Sequence, residues 1–319
     1  MSEQSSTMES LSDELLIQVF QYFNTPDLFQ SFYNLNTRFN RLIQSLNHLH
    51  LTIPSNNHSF HLNLLSPYIY SLITIGEIDI HLQHFENLRH LILHSPSENL
   101  LNQLTTITLP HLESLSIPDL LFGMSPIFEQ IFSNRYPHLK SCHFFGFETI
   151  ETIGKWTQLT SLRILKIGLI DYHVYKAILS ACPNLYYFKL EMFQSYLKLS
   201  HIQTHLNLRK LEIHSEINDW RYNDQLIDSF LSCVNNLEQL SISRSISIST
   251  LVDFIPDYDW FASIIAIRLP FLKHLIVSLQ LEYHSGFMGF ISTETRRDLR
   301  RFFLNSHQNR YQSRFIIRS

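Results

Sequence analysis

The chain has 319 residues, 45% of them apolar and only 16% charged, with a net charge of −4. That apolar share supports a large core and excludes a disordered chain. The lack of a basic surplus excludes a global field that would draw the protein to nucleic acid or a membrane. Seven glycines are few for phosphate-cradling loops, and neither G-x-G-x-x-G nor G-x-x-x-x-G-K-[ST] occurs. Cys142, Cys182 and Cys233 have neither disulfide-framework nor zinc spacing, which suggests a reduced intracellular compartment. The polar, acidic start MSEQSSTMES is unlike a signal peptide. No window offers about 20 clean apolar residues, so a soluble chain is expected.

In chain order, residues 1–8 read as a disordered tail and residues 9–47 as three short helices. On the first helix Leu15, Leu16, Val19, Phe20 and Phe23 fall within about 140° at 100° per residue. A helix covered on one side needs only about 100° of apolar face, so part of this face is left for another surface. Thr25-Pro26-Asp27 opens the second helix, with threonine as the expected cap. The third carries Phe39, Leu42 and Ile43 at i, i+3, i+4.

The residues Leu11-Ser12-Asp13-Glu14-Leu15-Leu16, then Asp27-Leu28, then Arg38-Phe39 stand in an order that resembles the F-box, a small helical module. Ser12 stands where that family usually has proline; a serine there can cap the helix instead. The resemblance implies docking to a Skp-type adaptor, with Leu11, Ser12, Leu16, Phe20, Leu28 and Phe39 contributing to the contact. A generic helical cap on the following repeats is the competing reading.

Residues 48–283 carry an internal repeat, L-x-x-[LFC]-x-[LIFV]. Its eight copies begin at Leu88, Leu112, Leu139, Leu162, Leu185, Leu208, Leu237 and Leu272, three successive spacings being 23 residues. Two weaker copies precede them, Leu46-Leu49-Leu51 and one around Tyr70-Ile73-Ile75. Alternation puts the second and third template positions inside a strand face and the residues between them outside. Helix-like stretches such as Asp171–Ala181 and Tyr222–Cys233 lie between the strands. The region resembles leucine-rich-repeat solenoids, although the usual Asn or Cys after the template is replaced by Pro96, Leu120, Phe147, Ile170 and Phe193. The expected fold is therefore α/β: a three-helix module followed by a curved solenoid with parallel strands on the concave face and helices on the convex face. An ordinary α/β domain with leucine-rich strands is the alternative.

Register predicts outward columns of side chains across the sheet. Their centre gathers His143, Lys166, Lys189 and Glu212 in one column and Tyr187 with Lys210 in the next. Aromatics beside charged donors suit an interface centre, so these six are the candidate target-binding residues. A merely solvated polar face is the other possibility.

Residues 284–319 read as a basic cap. After residue 292 seven arginines face only Glu294 and Asp298, and Leu299, Phe302 and Phe303 are expected inward on a closing helix. The 18 histidines, among them the pairs His81/His84 and His90/His94, show no recognisable ligand order and read mostly as solvated. Catalytic residues, metal and cofactor are expected to be none.

Together the two resemblances imply a non-catalytic substrate-recognition subunit of an SCF-type ubiquitin ligase, cytoplasmic or nuclear and monomeric outside the complex. Its partners would be the adaptor, a cullin and a target protein, with neither nucleic acid nor membrane involved. A leucine-rich-repeat scaffold without ubiquitin transfer is the alternative.

Overall fold

A computed structural model describes residues 8–46, 48–55, 62–106, 109–119, 125–145, 156–192, 204–215, 224–247, 251–282, 293–307 and 310–318. The chain divides into two compact units, Met1–Leu120 with Tyr136–Leu139, and Leu121–Arg135 with Lys140–Ser319.

The first unit begins with three helices, α1 (Asp13–Phe20), α2 (Thr25–Phe32) and α3 (Thr37–Ser45). Ser12 caps α1, its Oγ accepting the Leu15 N–H at 3.5 Å. The cap of α2 is Asn24, not Thr25 as expected. Asn24 accepts the Asp27 N–H and donates its own amide to the Asp27 carboxylate, both at 2.8 Å. With Asn24 in the capping place, Thr25 is free to be buried, where its hydroxyl donates to the His50 carbonyl. Asn36 caps α3, and Phe39, Leu42 and Ile43 are buried as their spacing predicts. Phe20, Phe32 and Phe39 close the core, with ring centroids 4.9–5.9 Å apart.

Strands β1 (Leu49–Pro54), β2 (Ile69–Ile75), β3 (His90–His94) and β4 (Ser114–Ile117) pair in that order, all parallel. Between them lie the short helix α4 (Leu62–Leu65) and α5 (Glu98–Thr106). The weak second copy is shifted by one residue from the expected Tyr70-Ile73-Ile75. Ile69, Leu72 and Thr74 are the buried set, Leu72 and Thr74 pair with Leu91 and Leu93, and Ile75 is exposed. Thr74 hides this register in the sequence, because a polar residue fills the third apolar position; its buried hydroxyl has no hydrogen-bond partner among the described residues. After β2, Gly76 has φ +85°, and a Cβ there would lie 2.9 Å from the Ser55 Cβ, so the turn requires glycine.

The second unit holds β5 (Ser141–Phe144), β6 (Ile164–Ile170), β7 (Tyr187–Met192), β8 (Lys210–Ser215), β9 (Gln239–Ser247), β10 (His274–Glu282) and β11 (Gln312–Arg318). These also pair in chain order and are parallel. The helices are α6 (Ser125–Phe132), α7 (Tyr172–Ala181), α8 (Asp224–Ser232), α9 (Leu251–Arg268) and α10 (Thr293–Ser306). The α/β class and the parallel strands agree with expectation. Asp171 caps α7, and Tyr175 from that helix stacks on Phe188 of β7 at 5.7 Å, so α7 covers the apolar strand face. Phe230 and Cys233 are buried beside it; the side chain of Leu226, expected on the same face, lies outside the described residues. Strand β11 was not expected: the tail holds a strand after its helix. Leu299 and Phe303 are buried on α10, whereas Phe302 is only half-buried.

Successive repeats are stitched together at the start of each strand. The Arg163 carbonyl accepts the N–H of both Tyr186 and Tyr187, and the carbonyls of Tyr186, Arg209 and Glu238 repeat the pattern at 2.8–3.0 Å. The residue before the first template leucine adds a side-chain bond. Asn184, Asn207 and Asn236 donate their amides to the carbonyls of Thr160, Pro183 and Leu206. Asn87 does the same to Pro67 in the first unit. These asparagines all stand before the strand.

Candidate functional site

Two surfaces follow from this architecture. On the helical module, Leu16, Phe20, Leu28 and Phe39 are all buried. They are the interior that holds α1, α2 and α3 together, so a partner meets other atoms. Ser12 is exposed and Leu11 half-buried. The exposed apolar side chains of the module are Leu15 (48%), Tyr22 (91%), Phe23 (38%) and Leu35 (63%). Apolar width on a helical wheel foretold an excess face, but it could not tell which edge the neighbouring helices cover. Beside Phe23, a cleft of about 770 Å³ is lined by Ile17, Phe20, Pro26, Leu49 and Pro54 among others.

Arg38 organises the start of α1. Its Nε donates to Asp13 Oδ1 at 2.7 Å, Nη1 to the Glu9 carbonyl and Nη2 to the Leu11 carbonyl, both at 2.6 Å. Asn36 adds a bond to Glu9 Oε1 at 2.7 Å. A guanidinium presents several donors in a fixed fork, so one side chain clamps the segment before α1 to the start of α3. Arg38 belongs to the sequence pattern, yet its partners are 25–29 residues away and invisible in it.

The outward strand face of the second unit brings the six predicted target-binding residues together. His143 pairs with Lys166, Lys166 with Lys189, Lys189 with Glu212, and Tyr187 with Lys210 on adjacent strands. All six are half-buried. Each lysine lies near an aromatic ring: Lys166 Nζ is 5.9 Å from the Tyr187 ring centroid, Lys189 5.3 Å from Phe145 and Lys210 5.8 Å from Tyr186. Glu212 stands 3.8 Å from Lys189, and burial together with a hydrogen bond to Glu212 holds the Tyr187 phenol protonated. Cations over ring faces are held in place by the ring quadrupole. Phe145 and Tyr186, which supply two of the rings, were not expected as site residues. Past Ile276 of β10, β11 extends the first of these columns to Arg314.

Buried chemistry differs from the surface reading. All three cysteines are buried and free, and burial raises each thiol pKa, that of Cys233 to about 11. Among the described residues no group of three histidine, cysteine or acidic side chains could hold a metal ion. His94 instead pairs with Asp119 at 2.8 Å. No described helix is long and apolar enough to cross a membrane.

Two histidines depart from the solvated reading. Leu208 donates its N–H to His205 Nδ1 at 3.0 Å, so Nε2 carries the proton and donates to the Cys182 carbonyl at 2.8 Å. His307 Nε2 meets the Tyr258 hydroxyl in a buried contact. Burial lowers both pKa values, and the nearby Arg310 helps bring His307 to about 4. A depressed folded-state pKa means that these groups contribute stability above the unfolded value of about 6.5 and lose it as pH falls toward 4. For His307 the loss is on the order of 3 kcal/mol. Urea midpoints are expected to fall between pH 6.5 and 4, and His307→Gln should remove about one proton's worth of that slope. An unchanged slope would show that His307 does not titrate in this window.

The chain matches no protein-family model, and no curated protein matches it.

Proposed function

We propose that this chain is a substrate-recognition subunit of an SCF-type, cullin–RING ubiquitin ligase. The helical module docks on a Skp-type adaptor, and the outward strand face holds a target protein. One observation carries the reading. The segment that resembles the F-box folds into three helices whose core is already closed by Leu16, Phe20, Phe32, Phe39 and Ile43. It nevertheless keeps Leu15, Tyr22, Phe23 and Leu35 exposed. Exposed apolar residues gathered on one small module mark a contact surface. The lysine and tyrosine face supports target binding, and an acidic target surface would complement it.

The test is affinity purification of the full chain from cells. Adaptor and cullin should co-purify. Because an interface anchor is typically worth about 2 kcal/mol, roughly thirtyfold in affinity, Leu15→Asp with Phe23→Asp should remove both partners. Those positions are exposed, so the helices should survive. Recovery of adaptor without cullin, or of neither, would favour a repeat scaffold that holds partners without ubiquitin transfer.

A further inference from the structure

Among the described residues the strand order ends at β11, which pairs with β10 on one side. Gln312 donates its N–H to the Lys273 carbonyl at 2.9 Å. In a parallel strand the N–H and C=O of one residue point the same way, and the direction alternates along the chain. Ser313, Phe315 and Ile317 therefore turn their backbone groups away from β10. Such an edge is a template for another strand.

The side chains show what kind of strand fits. Register places Phe315 opposite Val277 and Ile317 opposite Leu279. Val277 and Leu279 are buried, but Phe315 and Ile317 are only half-buried, although Phe315 stacks on Phe303 of α10 at 5.0 Å. Among the described residues the apolar row is thus covered from the helix side and from β10 and remains open at the edge. On the opposite face of β11, Gln312 and Arg314 are exposed. This end of the chain is also the basic one: seven arginines after residue 292 face two acids, in a protein whose net charge is −4. One of those acids, Asp298, is already 3.5 Å from Arg301, and Arg296 Nε on α10 is buried with no acceptor among the described residues.

We propose that the edge of β11 binds an extended segment of a partner protein that alternates acidic with apolar residues. The segment adds as a further strand. Its backbone pairs with Ser313, Phe315 and Ile317, its apolar residues continue the Phe315–Ile317 row, and its carboxylates face Arg314 and the neighbouring arginines. Charge complementarity selects the acidic segment, and the period of two along the edge selects its alternation. Arg314 continues the outward column of the second unit, but the proposal rests on the backbone edge of β11 and stands whether or not the ligase reading holds.

The experiment is fluorescence anisotropy of the full chain with a labelled nine-residue peptide alternating glutamate and valine. Binding should weaken at least tenfold between about 50 and 500 mM salt. It should weaken at least tenfold when alternate peptide amides are N-methylated, since that blocks the backbone ladder alone. Gln312→Glu with Arg314→Glu, both exposed, should weaken it as much without lowering the melting temperature. Equal binding of a lysine–valine peptide or of the N-methylated peptide would overturn the proposal. So would tighter binding of a single-stranded RNA of equal charge, which would make this end a polyanion site. A stable homodimer abolished by the same double change would assign the edge to a second copy and also overturn it.

Discussion

Phe188→Ala is expected to destabilise the second unit by about 3–5 kcal/mol, the range for removing a large aromatic ring from a well-packed interior. Phe188 is fully buried, stacked on Tyr175 from α7, and paired in register with Leu165 and Leu211 on the flanking strands. Tyr175 cannot follow the ring inward, because Tyr172 and Phe230 pack around the same place and Cys233 lies against the Tyr175 hydroxyl. The sheet cannot close either, since both neighbours of Phe188 are held by backbone ladders. The cavity therefore stays open, and the melting temperature should drop by about 10 °C. Lys189→Ala, one residue away, removes a half-buried outward side chain and should cost less than about 1 kcal/mol. Chemical denaturation of both variants checks the pair. Equal losses would place the strand one residue out of register.

Phe20→Ala should act on the helical module with similar force, about 3–5 kcal/mol, and with a larger structural consequence. Phe20 is buried, 4.9 Å from the Phe32 ring and 5.9 Å from Phe39. A helical segment of this size has little stability to spare. Residues 8–46 should lose helix, and adaptor recovery should disappear with it, while the urea transition of the second unit stays where it was. Circular dichroism and limited proteolysis report the first effect, affinity purification the second. Leu15→Asp gives the contrasting outcome, with partner loss and intact helices, because Leu15 is half-exposed and Phe20 is not. A Phe20→Ala chain that keeps its helices would remove Phe20 from the core.

The contrast between these residues shows where a helical wheel stops being informative. Leu15, Leu16 and Phe20 share one apolar arc. Only the packing of α2 and α3 against α1 decides that Leu16 and Phe20 are interior and Leu15 is surface. The outward columns behaved differently. Lys166 opposite Lys189 and Tyr187 opposite Lys210 follow from the leucine template, because alternation carries the register through the template positions, although β6 shifts register just past Lys166. The same logic misplaced the second copy, where Thr74 occupies a position that the template reserves for an apolar residue.

What the amino-acid sequence determined by itself is the repeating unit: apolar residues at period two within a strand, recurring at intervals near 23 residues, with asparagine before the leucine. Those are local patterns; each copy restates the apolar alternation and four of the eight carry the asparagine, so errors in one copy are corrected by the next. Tertiary structure alone decided everything that depends on a distant partner. Arg38 reaches back 25–29 residues to Asp13, Leu11 and Glu9, and His205 finds the Cys182 carbonyl 23 residues away. Strand β11 exists because β10 offers it a parallel edge, although its own stretch, Gln312–Arg318, lacks the leucine template. Hydrogen bonds and burial between segments leave no periodic trace in the chain, since only one residue of each pair need be polar, basic or aromatic, and its partner is chosen by the fold.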